Sequence, residues 1–262
     1  MQHFKHLLSA AVLFTVAVAS QAATVRVDFD SPLFDQRADK GFDSNVSVSY
    51  PGGKRTVDAG TFSGTASRFN GVQSSVFVST SDFYAYCYDL DETVQAGQRV
   101  NYTVNMDGGT ARTLDFLGAV NYKLSLDRGY YDPYAWLNPS DSSMGAAIQL
   151  GIWESLYETS SAWSSSNGAF RATAGVRSAT ATMLSAFYAV LGRSNALESQ
   201  FVMTLTASGA QDLITGSVPV AVVPPVTPPA VVPPTNQVPE PASLALFGLA
   251  IAGLGLARRR RA

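Results

Sequence analysis

Phe83-Tyr84-Ala85-Tyr86-Cys87-Tyr88-Asp89-Leu90 is the stretch from which the fold is best read. Its β-favouring aromatics alternate with smaller residues, so it reads as a strand. Successive side chains on a strand point to opposite faces. Phe83, Ala85 and Cys87 share one face; Tyr84, Tyr86 and Tyr88 share the other. Cys87 therefore points into a small apolar environment. It is also the chain's single cysteine. A lone cysteine reads first as a small buried hydrophobe, and second as a free thiol or a covalent partner.

Further strands are expected at Thr24–Asp30, Asn45–Tyr50, Ser74–Ser79, Arg99–Met106 and Gln200–Ala207, bounded by Gly, Asp, Asn and Ser clusters. Ala111–Leu126, Ser142–Glu158 and Val176–Leu191 read as helices. Strands come first, helices follow and a strand closes. The expected class is α+β: a β-sandwich or barrel carrying a helical insertion.

Ser142-Ser143-Met144-Gly145-Ala146-Ala147-Ile148-Gln149-Leu150-Gly151-Ile152-Trp153-Glu154 opens with serines suited to capping a helix. At about 100° per residue, Met144, Ile148, Ile152 and Leu156 form an apolar stripe. Gln149 falls between Leu156 and Trp153, inside that arc. A buried amide without partners costs roughly 1–3 kcal/mol. Gln149 is then either a core glutamine bonded to backbone, or a residue whose amide carbon is consumed in a bond.

Both ends read as export signals. Lys5, with His3 and His6, precedes an apolar run Leu7–Ala19, and Ser20-Gln21-Ala22 offers a cleavage site after Ala22. At the other end stand Val238-Pro239-Glu240-Pro241, an uncharged run Ala242–Ala257 and Arg258-Arg259-Arg260-Arg261. The run is shorter than the about 20 residues of a full span. The arginines favour the cytoplasmic side, leaving the body outside. Residues 216–238 are rich in Pro-Pro pairs and read as an extended rod. The expected organisation is a signal peptide (1–22), a domain (23–215), the Pro-rich linker (216–238) and a C-terminal anchor helix within a sorting segment (239–262).

Several functions are disfavoured. The net charge is −2 with no basic stripe, so no nucleic-acid partner is expected. Both histidines lie in the signal peptide, which removes histidine-based catalysis and histidine-ligated metals from the exported chain. Acidic groups cluster at Asp28/Asp30, Asp35/Asp39/Asp43 and Asp89/Asp91/Glu92 without EF-hand spacing. Asp89 and Glu154 are the carboxylates considered for glycoside cleavage, though no spacing selects them. Asn45-Val46-Ser47 and Asn101-Tyr102-Thr103 match the glycosylation sequon, a short pattern that also arises by chance.

Two resemblances follow from these residues. Tyr-Cys-Tyr on a strand followed by Ile-Gln-Leu-Gly-Ile-Trp on a helix resembles the thioester domains of bacterial surface adhesins. Gly151 stands where that family usually has alanine, and Arg128 where it commonly has asparagine. The resemblance implies a bond between Cys87 Sγ and Gln149 Cδ, with Tyr86, Tyr88 and Trp153 as shielding residues, and no cofactor, metal or catalytic turnover. The implied partner is an amine-bearing surface or matrix ligand, a protein lysine or an amino sugar. The exported chain has only three lysines, Lys40, Lys54 and Lys123, so few internal amines compete. The alternative is a non-covalent structural or carbohydrate-binding envelope protein in which Cys87 is simply buried. The C-terminal segment, with Pro239, Glu240 and Pro241, resembles a PEP-CTERM sorting signal. It implies a Gram-negative-type bacterium, an exosortase-type processing enzyme, transient contact with the inner membrane, and delivery to the envelope, outer surface or matrix.

Overall fold

The structure, a computed structural model, describes residues 22–34 and 42–219, all within one unit, Met1–Val220. The signal peptide before Ala22, most of the Pro-rich linker, the expected anchor helix and Pro239, Glu240 and Pro241 lie outside the described residues. No described helix is long and apolar enough to cross a membrane.

The strands are β1 (Thr24–Phe34), β2 (Phe42–Tyr50), β3 (Gly53–Gly60), β4 (Phe62–Asn70), β5 (Phe83–Cys87), β6 (Arg99–Asn105), β7 (Arg171–Ala174), β8 (Val202–Ala207) and β9 (Ala210–Gly216). The helices are α1 (Ala111–Arg128), α2 (Ser142–Tyr157) and α3 (Ser178–Tyr188). The class is α+β. Six strands close an antiparallel barrel in the order β1-β4-β5-β9-β8-β6, and β3-β2-β7 form a separate sheet.

The barrel, rather than a sandwich, follows from β1 pairing on both edges. It runs antiparallel to β4 on one side and β6 on the other. Its Val25, Val27 and Phe29 alternate inward and are buried. The segment between β6 and β8 is not purely helical, because β7 returns from it to pair with β2. The Ser74–Ser79 expectation is corrected: Ser74–Val76 is one turn of 3-10 helix, and Phe77 contributes a single bridge to Ser217. β5 stops at Cys87 rather than Leu90.

Helix ends follow capping chemistry. Thr110 accepts from the Thr113 N–H at the start of α1, and Gly129 takes the left-handed conformation at its end with φ 78°. Arg128 is exposed in the last turn, where a cation complements the helix dipole. The cap of α2 is Asp141, which accepts from Met144 N; the expected cap Ser142 is the first helical residue. α2 packs against α1, α3, β2 and β3. Met144 through Ser155 are all buried, so the helix is enclosed on every side rather than striped.

Candidate functional site: the Cys87–Gln149 junction

Position 149 meets position 87 through two hydrogen bonds. Cys87 N–H donates to Gln149 Oε1 at 2.8 Å, and Gln149 Nε2 donates to Cys87 O at 3.0 Å. Both residues are buried, Gln149 fully and Cys87 at 3% exposure. Strand parity explains the meeting. Tyr88 N–H donates to Asp212 O, so that residue faces β9. The backbone groups of Cys87, one residue earlier, project to the β4 side. There β4 reaches only to Phe62, opposite Ala85. Gln149 thus fills a missing place in the ladder: its side-chain amide stands where a peptide group of β4 would be.

The same helix face continues the grip. Trp153 Nε1–H donates to Asp89 O at 3.2 Å, and the Tyr157 hydroxyl accepts from Leu90 N at 2.8 Å. Gln149, Trp153 and Tyr157 recur every four residues, one above another on α2.

The Cys87 thiol lies against a cleft of ≈ 540 Å³ whose lining includes Trp153, Phe62, Leu90, Val94, Arg55, Asp58, Glu92 and Gln211. Burial pushes its pKa well above the ordinary value, and the Asp89 carboxylate adds to this, against a lowering by a backbone hydrogen bond. The thiol therefore stays protonated and is a poor nucleophile toward passing reagents.

The expected shielding aromatics, Tyr86, Tyr88 and Trp153, occupy three environments. Tyr86 stacks on Trp136 with ring centroids 5.8 Å apart and donates its hydroxyl to Trp136 O. The Tyr88 hydroxyl accepts from Thr110 N and lies 3.3 Å from Thr113 Oγ1. Trp153 shares the cleft with Cys87.

Asp89 and Glu154 do not line this cleft. Asp89 Oδ1 accepts from the N–H groups of Asp91 and Glu92, and Oδ2 from Asp212 N. Glu154 is buried, accepts from Ser164 N at 2.9 Å and lies 4.0 Å from Arg112. Oxygens of Asp89, Glu92 and Asp212 come within 4.8 Å of one another. In the acidic cluster expected from sequence, Asp212 thus takes the place of Asp91, whose carboxylate instead accepts from Tyr50. Asp58, Gln211 and Asp212 come from β3 and β9, which the sequence pattern did not mark as strands.

The PEP-CTERM protein-sorting motif matches residues 237–261. No curated protein and no solved structure matches the chain. The motif marks an exported protein of Gram-negative bacteria, sorted to the cell surface with processing by exosortase.

Proposed function

We propose that the barrel stores an internal thioester between Cys87 and Gln149 and uses it to bond covalently to amine-bearing partners at the envelope or in the matrix. The supporting observation is the pair of hydrogen bonds between the Gln149 amide and the Cys87 backbone. In formation, Sγ adds to Gln149 Cδ as the thiol proton passes to the amide nitrogen, and ammonia leaves. The two bonds that hold the amide at Cys87 supply the proximity that offsets the raised thiol pKa. Negative charge developing on Oε1 meets the Cys87 N–H that already bonds it. An incoming amine then adds to the same carbon, an amide forms, and the Cys87 thiol is released. The link outlasts any non-covalent residence time. Each chain acts once, as an adhesin or matrix cross-linker rather than an enzyme. On this reading 1–22 is removed, and the thioester-like domain runs from 23 through Gly216, which ends β9, and Ser217, which bridges to Phe77. The Pro-rich segment that follows up to 238 is a rod, and 239–262 directs sorting.

The competing reading, a non-covalent envelope protein with a buried free thiol, draws on the same two bonds. A glutamine that completes a strand edge has a structural role without chemistry. Intact mass of the exported chain separates the two. The thioester predicts a deficit of one ammonia, a methylamine adduct, and loss of both in Cys87→Ala. Full mass with an unmodified Gln149 would sink the covalent reading.

A further inference from the structure

The outer face of the β3-β2-β7 sheet carries a second opening, which the thioester reading does not use. Cross-strand register sets Lys54 of β3, Ser49 of β2 and Arg171 of β7 in one row. In the next row Thr56 lies opposite Ser47, and Thr173 Oγ1 donates to Ser47 O at 3.2 Å. Adjacent strands are about 4.8 Å apart, so two cations flank one hydroxyl across about 10 Å. Arg171 Nη2 stands 3.5 Å from Ser49 Oγ. These six side chains line a shallow opening of ≈ 520 Å³.

Lys54 and Arg171 are exposed, and among the described residues neither has an acidic partner. Most other described cations do: Arg26, Arg55, Arg99, Arg112, Lys123 and Arg177 each meet a carboxylate. Asp58, farther along β3, accepts from Asn45 N and lines the Cys87 cleft instead. On a chain of net charge −2, this is a patch of uncompensated positive charge on a hydroxyl-bearing surface.

We propose that this sheet face binds an anionic polysaccharide. Its acidic groups sit between Lys54 and Arg171, and its hydroxyls bond Ser47, Ser49, Thr56 and Thr173. A protein interface is built around an apolar or aromatic centre; the one apolar residue lining this opening, Val48, is itself buried and offers no such centre. A sugar chain supplies what the face lacks: anionic groups at intervals with hydroxyls between them. Arg55 and Thr56 line both this opening and the Cys87 cleft, so a chain held here lies beside that cleft.

The test is binding of the full-length chain to a polyuronate, dextran sulfate, neutral dextran and polyglutamate, read by calorimetry at two salt concentrations. Binding to the polyuronate or dextran sulfate, weakened by salt and absent with neutral dextran, is expected. Lys54→Ser/Arg171→Ser lowers that affinity roughly tenfold or more, as loss of two charge-assisted contacts requires. Cys87→Ala leaves it unchanged, which keeps this result separate from the thioester. Failure to bind either anionic glycan, equal binding by the double variant with its melting temperature unchanged, or equally tight binding of polyglutamate would each overturn the proposal.

Discussion

Trp153 donates its indole N–H to the carbonyl of Asp89, one helical turn beyond the point where Gln149 holds Cys87. Four residues of helix rise about 6 Å. Two residues of chain continuing past Cys87, where β5 ends, advance about 6.7 Å when extended as a strand is. The two steps nearly match, so α2 lies along the end of β5 in register with it. The spacing of Gln149 and Trp153 thus reflects the geometry of a helix laid on a strand edge.

This register makes the amide of Gln149 structural whatever its chemistry. Gln149→Leu strips Cys87 N–H and Cys87 O of their partner inside the core. Each orphaned group costs about 1–3 kcal/mol, so a loss of roughly 2–6 kcal/mol is expected in urea unfolding. Cys87→Ala leaves the amide in place and costs less, about 1–2 kcal/mol. Equal losses would mean that the two hydrogen bonds contribute little.

Gly151 is constrained by a neighbour. A Cβ there would come within 1.9 Å of the Phe116 ring. Phe116 is fully buried and stacks on Trp163, so it has little room to retreat. Gly151→Ala is expected to destabilise the chain by about 1–3 kcal/mol through overpacking. Phe116→Leu in the same chain should recover part of that loss, as read from melting temperatures.

Glu154 gives stability a pH dependence of definite sign. Burial, opposed by the Ser164 N–H, raises its pKa to about 7 from an ordinary 4.5. A carboxylic acid raised on folding favours the folded state most at low pH. Its contribution is fully present below pH 4.5 and is lost as pH rises through 7. Glu158, four residues on, behaves oppositely. N–H groups led by that of Ser160 hold its pKa near 2, so its contribution fades as pH falls toward that value. Glu154→Gln should flatten the decline between pH 5 and 8 in chemical denaturation, a span that brackets Glu154's pKa of about 7. An unchanged slope would remove Glu154 from this role.

The sorting motif makes a cellular prediction. Deleting residues 238–262, or replacing Pro239, Glu240 and Pro241 by alanine, should abolish surface delivery while leaving the barrel folded. Fractionation followed by protease sensitivity of the barrel reads the outcome. Normal surface delivery of both variants would show that residues 237–261 are dispensable for sorting.

The strand through Cys87 and all three helices were legible because their patterns are local. Both β-faces of Tyr86 and Cys87 are covered, one by Trp136, and alternation alone could not reveal that. β3 and β4 were missed because Lys54-Arg55-Thr56 and Gly64-Thr65 look like loop. Pairing makes them strands: β4 runs along β1, and at Gly64 a Cβ would meet Asp28 O at 2.6 Å. The sequence places Gln149 and Trp153 on one helix face. Their common partner strand became visible only in three dimensions.

The Gln149 grip carries one further consequence in the proposed cycle. Thioester formation expels Nε2, and with it the donor that satisfied Cys87 O. A loaded barrel would therefore hold a buried carbonyl without its partner, at a cost of about 1–3 kcal/mol. Attack by an amine returns a nitrogen to the same carbon, and its N–H can donate to Cys87 O again. The barrel would then be cocked while loaded and relaxed once fired. Capture of a partner would complete the strand edge that storing the bond had left open.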